Sequence, residues 1–174
     1  MHNTIYELSR TPVPLDQRAR AGNMPDWFFA RICDYTENPT PSRRKAALKT
    51  FVNILGRYCK KSGEKLTLSP QIKEVFFQER YEHFRAAAEA LAQTDYPTFA
   101  GLETTPAFHL ALEVLRDSYE DRQGIYIYSA ETGALVTLEH WLRNADFSRP
   151  FYIGGIIDYY YQSNFDKENG FDQN

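Results

Sequence analysis

Apolar residues recur at helical spacing through the first two-thirds of this chain and switch to alternation in the last third. Pro25 is suited to a first helical position, and "PDWFFARICDY" spaces Trp27, Phe28, Ile32 and Tyr35 as one helix face. The prolines of "TENPTP" stop it, since proline has no amide hydrogen and biases its predecessor away from helical angles. Ser42 is the expected cap of a helix over about 43–60, with Leu48, Phe51, Val52, Leu55 and Tyr58 as its stripe. "EKLTLS" reads as a short strand or extended linker. Ser69 and Pro70 then open the longest helix, about 70–93, with Ile72, Val75, Phe76, Phe84, Ala87, Ala88 and Leu91 inward. A further helix runs from Pro106 to about Ser118 behind a Thr105 cap.

The period changes at "GIYIYSAETGALVTL", which reads as strand, turn and strand, with the turn over Glu131, Thr132 and Gly133. Thr137 caps a short helix that faces Leu138, Trp141 and Leu142 inward, and "FYIGGIIDYYY" after Pro150 is a last strand. In that strand a two-residue period puts Phe151, Ile153, Gly155, Ile157, Tyr159 and Tyr161 on a core face. It puts Tyr152, Asp158 and Tyr160 on the side turned to solvent or a partner. The expected fold class is α+β, a mainly helical N-terminal two-thirds followed by a small antiparallel sheet. One domain over 1–174 is expected, with an extended arm over about 1–24, holding a short strand at "TIYEL", and a polar tail over about 164–174.

Composition supports a globular chain: 43% hydrophobic, 25% charged and 15% aromatic, the rings supplied mainly by 12 Tyr and 12 Phe. No apolar run approaches the roughly 20 residues that span a bilayer, and the polar start "MHNTIYELSR" lacks a signal-peptide core. The expectation is a soluble, cytoplasmic protein with no membrane partner. Cys33 and Cys59 have neither C-x-x-C spacing nor a nearby His, so buried, reduced thiols are expected.

The net charge of -3 conceals an asymmetry. Residues 1–87 carry 15 Lys+Arg against 9 Asp+Glu, and residues 88–174 carry 5 against 14. Such a layout bears on partners rather than on fold. In the basic half, Arg18 and Arg20 lie in the arm, and Arg43, Arg44, Lys45, Lys60 and Lys61 flank one helix. Together they form a candidate face for a nucleic-acid backbone. Arg43 to Lys45 are the more informative set, because cations near a helix N-terminus oppose its dipole. In the acidic half, Asp117, Glu120 and Asp121 follow one helix, and with Tyr152, Asp158 and Tyr160 they are candidates for meeting a protein partner.

Signals for catalysis are weaker. Glu79 with His83, and His109 with Glu113, each share a helix face, yet they lack the H-E-x-x-H or E-x-x-H spacing of established metal sites. No G-x-S-x-G, S-x-x-K or Cys-His signature is present, so covalent catalysis has no sequence support. Gly154 and Gly155 are followed by a β-rich run rather than a helix start, which favours a bulge or close backbone approach over a phosphate cradle. A non-enzymatic protein without cofactor or metal is expected.

The stretches "YELSRTPVPLDQRARAGNMPDWF" and "GIYIYSAETGALVTLEHWLRNADFSRPFYIGG" resemble small accessory proteins of conjugative elements, among them anti-CRISPR inhibitors of the type II RNA-guided nuclease. The resemblance implies an interaction protein that shields incoming DNA without chemistry of its own. Its partners would be the nuclease and its guide RNA or target DNA, a basic half holding nucleic acid and an acidic half entering the nuclease's positive channel. A nucleic-acid-binding accessory protein of a mobile element, without inhibitor activity, is the alternative.

Overall fold

The computed structural model describes residues 2–103, 105–119 and 124–160, with the side chains of 115–119 excepted. In chain order the elements are β1 (His2–Ser9), α1 (Asp26–Arg31), β2 (Tyr35–Glu37), α2 (Pro41–Leu55), a 3-10 turn (Gly56–Tyr58), β3 (Cys59–Ser62) and β4 (Lys65–Leu68). There follow α3 (Ile72–Val75), α4 (Gln78–Ala92), α5 (Tyr96–Phe99), α6 (Pro106–Tyr119), β5 (Tyr126–Ser129), β6 (Leu135–Thr137), α7 (Leu138–Asn144) and β7 (Phe151–Tyr160). They form two compact units: residues 1–70 with 124–174, and residues 71–123.

The first unit is built on a seven-stranded mixed sheet in the order β3-β4-β7-β1-β5-β6, with β2 pairing β7 as well. The sheet curls into half a barrel. This corrects the expected fold class: helices interleave with strands, and four of the strands come from the N-terminal two-thirds expected to be mainly helical. The difference lies in β1. Its segment "HNTIYELS" mixes polar and apolar residues too evenly to announce a core strand, yet it sits mid-sheet, antiparallel to β7 and parallel to β5. Partners from the far end of the chain bury it, and local periodicity carries no information about such pairing.

Smaller boundaries also move. Thr40, not Ser42, caps α2, its side chain accepting from the Arg43 N–H, and the helix ends at Gly56, whose φ of 62° favours glycine. The "CKK" expected as helical is strand β3, with Lys60 opposite Thr67 and Lys61 opposite Leu66. The long helix expected over 70–93 is broken into α3 and α4. The β5–β6 hairpin, α7 with its Thr137 cap (His140 N–H to Oγ1, 3.2 Å) and β7 form as expected.

Pairing register assigns the sheet's two faces. Ile5, Glu7 and Ser9 of β1 share one face with their β5 partners Tyr126 and Tyr128. A strap, residues 11–24, and α1 cover that face, where Ile5, Met24, Phe28, Cys33, Ile157 and Tyr159 form a buried cluster. Tyr6 and Leu8 point the other way, beneath α2 and α7. There Phe51 stacks on Tyr6 at 4.2 Å, and the Tyr6 hydroxyl donates to the Ala47 carbonyl at 2.9 Å.

Between Tyr6 and Leu8 the β1–β7 register slips, so that Glu7 faces both Gly154 and Gly155. This is a β-bulge, and it changes the faces of β7. Beyond it Ile153 pairs with Leu8, and Phe151 packs edge-on against Trp141 of α7 at 5.1 Å. The strict two-residue period had placed Phe151 and Ile153 with Ile157 and Tyr159; one inserted residue turns them to the opposite side. Both faces are covered, and Asp158, expected to look outward, is 2% exposed.

The second unit is helical. α4 packs on α6, with Ala87 and Ala111 buried, and Asp95 caps α5 by accepting from the Thr98 N–H. Among the described residues no helix is long and apolar enough to cross a membrane.

Candidate interaction sites

The first polar centre lies where α2 crosses the end of β7. Strand pairing sets Tyr160 beside His2 and Tyr35, and Asp158 beside Glu37, all on the α2 side of the sheet. Arg43 reaches into this group from the first turn of α2. Its Nη2 is 2.7 Å from the Tyr160 hydroxyl, 3.0 Å from His2 Nε2 and 3.1 Å from Asp158 Oδ2, and its Nη1 pairs with Glu37 Oε1. Tyr160 in turn donates to Glu37 at 2.6 Å, and the Tyr35 ring stacks on it at 4.5 Å. The Tyr160 hydroxyl and then Arg43 hold the Glu37 carboxyl below the usual carboxylate range, and hydrogen bonds to Tyr160 and then to Glu37 raise the Arg43 guanidinium above its ordinary value. Asp158 would be an uncompensated buried charge without Arg43 and His2, whose Nε2 lies 3.3 Å from Oδ1.

Two further arginines of the basic half, Arg44 and Arg18, are similarly committed. Arg44 donates to the Gly154 carbonyl at 2.8 Å, and burial followed by its neighbour Arg18 lowers its pKa. Arg18 grips both oxygens of Glu64 at 2.7 Å. Three of the seven residues expected at a nucleic-acid face therefore tie α2 and the strap to the sheet. Lys45, Lys60, Lys61 and Arg20 are exposed. The cations near the start of α2 oppose the helix dipole because tertiary carboxylates and carbonyls demand them there.

Of the residues expected to meet a protein partner, Tyr152 and Tyr160 are half-buried and Asp158 is buried. Asp117 lies on α6, and Glu120 and Asp121 lie outside the described residues, as do Tyr161 and the tail over 164–174. Glu79, His83, His109 and Glu113 sit exposed on α4 and α6, and no group of three or more metal-binding side chains is assembled among the described residues.

A second centre, which the sequence did not point to, is an open cleft of about 610 Å³ between the strap, the end of β1 and the β5–β6 turn. Glu7, 3% exposed, lies in its wall. Glu7 Oε2 accepts the N–H of Ala19 at 2.9 Å and that of Gly155 across the bulge. The glycine pair makes this arrangement possible. A Cβ on Gly154 would sit 2.3 Å from Glu7 Oε2, and one on Gly155 would sit 2.1 Å from the Ala19 carbonyl oxygen. Close approach, the structural reading of the doublet, is thus what the two glycines provide. At the cleft's far end Glu131 accepts from the Ser9 hydroxyl at 2.8 Å and from the Arg10 N–H. Burial works to raise its pKa, but these hydrogen bonds outweigh burial and lower it.

The helical unit offers a third surface. Among the described residues, seven of the ten large apolar side chains that remain exposed belong to it: Val75, Tyr81, Tyr96, Phe99, Leu102, Leu110 and Leu112. A shallow groove of about 410 Å³, lined by Leu91, Tyr96, Phe99, Phe108 and Leu112 among others, runs between α4, α5 and α6. Residues 71–123 also carry 10 Asp+Glu against 5 Lys+Arg. The unit with most of the exposed large apolar side chains among the described residues thus also carries a net acidic excess.

Comparison with protein-family models, with curated proteins and with solved structures returns no match. The functional reading rests on these surfaces.

Proposed function

We propose that this chain is a non-enzymatic binding protein whose helical unit docks on a basic surface of another protein, and that the partner is an RNA-guided defence nuclease it inhibits by occupancy. The observation that carries the docking reading is the coincidence, on residues 71–123, of exposed apolar side chains with an excess of carboxylates. α6 supports it in particular: Leu110 and Leu112 are exposed while Ala111 is buried, so the helix is apolar on more than the side it packs with. Exposed apolar patches of this kind mark contact surfaces, and their acidic surroundings favour a partner of opposite sign over a second copy of the same unit. The nuclease as partner comes from the resemblance, and its positively charged nucleic-acid channel is a surface of the required sign.

Direct binding of nucleic acid is less favoured, because Arg18, Arg43 and Arg44 are spent within the first unit. The test is size-exclusion chromatography with a type II RNA-guided nuclease, with and without its guide, beside a DNA-cleavage assay. A stable complex and slowed cleavage are expected, both lost on Phe99→Glu with Leu110→Glu. Cleavage unchanged by a large molar excess of the protein, with no co-elution, would rule the proposal out.

A further inference from the structure

The cleft of the first unit is independent of the docking surface, and its chemistry points to a small ligand. Its volume of about 610 Å³ lies in the range of small-molecule sites. Three carboxylates line it, Glu7, Asp16 and Glu131, with two arginines, Arg18 and Arg20. Arg18 is neutralised by its two-point pairing with Glu64, so the cleft carries an excess of negative charge. The carboxylates do not converge closely enough to form a metal-binding group among the described residues.

Glu7 is the unusual member. Burying a carboxyl group is costly unless its oxygens are satisfied, and here both backbone N–H donors go to the same oxygen, Oε2. Oε1 accepts no hydrogen bond from any described residue. The two N–H groups hold the carboxyl group in one orientation, so Oε1 is a preorganised acceptor in the wall of the cleft. Tyr128, its neighbour across the β1–β5 pair, adds an aromatic side chain to the same wall. A fixed carboxylate beside an aromatic ring is a combination that selects cations over neutral ligands.

We infer that this cleft binds a small organic cation, an ammonium or guanidinium group, whose charged end meets Glu7 Oε1 against the Tyr128 side chain. Arg20, exposed on the same rim and without a side-chain partner among the described residues, is placed to meet an anionic group at the ligand's other end. The cation can be a free molecule or a lysine or arginine side chain of another protein; both present the same chemistry to Glu7.

The test is an NMR titration of the full chain with ethylguanidinium, n-butylammonium and an acetylated, amidated Gly-Arg-Gly peptide, followed at the Ala19 and Gly155 amides. Saturable shifts are expected, with dissociation constants on the order of millimolar for such small probes. Response to the free cations identifies a small-molecule site. Response to the peptide alone identifies a side-chain site. Glu7→Gln, which keeps the shape and removes the charge, is expected to weaken binding at least ten-fold. Ethylurea, the neutral counterpart of ethylguanidinium, is expected not to bind the unaltered protein, a comparison that stands even where Glu7→Gln fails to fold. No saturable shift with any of the three probes, ethylurea binding as tightly as ethylguanidinium, or undiminished affinity in a folded Glu7→Gln protein would each overturn the inference.

Discussion

A methyl group added at Gly155 has nowhere to go. The Cβ of alanine there would lie 2.1 Å from the Ala19 carbonyl oxygen and about 3 Å from that residue's backbone C and N, all in the strap and none in a side chain that could swing aside. Restoring ordinary contact means moving the strap by more than an ångström. That shift breaks the Ala19 N–H bond to Glu7 and disturbs the one from Gly155. Overpacking of a tight interior costs about 1–3 kcal/mol, and a lost hydrogen bond to a charged group about 1.5–3 kcal/mol. Against these stands a gain of about 0.4–1 kcal/mol from the stiffer unfolded chain. The net expectation for Gly155→Ala is a loss of about 2–5 kcal/mol, a large share of a typical domain's 5–15 kcal/mol.

The assay is thermal and urea unfolding followed by tryptophan fluorescence. Both tryptophans, Trp27 and Trp141, lie in the first unit, so the signal reports the body that contains the bulge. A fall in midpoint of roughly 10 °C is expected. Gly154→Ala should be milder, because its Cβ meets the Glu7 side chain, which can yield toward the cleft at the expense of its hydrogen bonds. A Gly155→Ala protein melting within about 2 °C of the unaltered chain would refute the claim that the strap is held by this contact.

Other expectations follow from the same packing. Phe51→Ala removes a ring that is 0% exposed and stacked on Tyr6, and should cost about 3–5 kcal/mol in the same fluorescence assay. Because the Tyr160 hydroxyl and Arg43 hold the Glu37 carboxyl below its ordinary value, that pairing stabilises the fold above the ordinary carboxylate range and is lost as pH falls through the depressed pKa. Tyr160→Phe should move the Glu37 titration upward in a carbon-13 NMR pH series. Arg43→Leu, which strips the buried Asp158 of its cation, should lower the unfolding midpoint clearly more than Lys45→Leu on the exposed side of the same helix. Burial pushes the thiols of Cys33 and Cys59 up to about 11, so both should resist a thiol reagent at pH 8 until urea unfolds the chain.

Much of the candidate chemistry was visible in the sequence as residue types but not as roles. Arg43 and Arg44 stood out because cations at a helix N-terminus need a reason; the reason is Asp158 and Gly154, more than a hundred positions away. Glu7 gave no signal at all, since a lone glutamate between Tyr6 and Leu8 reads as the solvent side of an edge strand. Only pairing with β7 on one side and β5 on the other makes it interior. The glycine doublet was legible as a bulge or point of close approach, but its consequence was not: the bulge sends Phe151 and Ile153 to the face opposite Ile157.

By itself the sequence determined the features that depend on neighbours a few positions apart. Thr137 caps α7, the Glu131–Gly133 turn joins two strands, and acidic residues outnumber basic ones over residues 88–174. Each follows from local geometry or simple composition, which needs no knowledge of where the rest of the chain lies. Tertiary structure alone decided that β1 is central, which face each β7 residue covers, and which arginines are free to meet a partner. Those outcomes depend on strand register and on charges brought together across the length of the chain, and a one-residue slip at Glu7 is enough to exchange inside for outside.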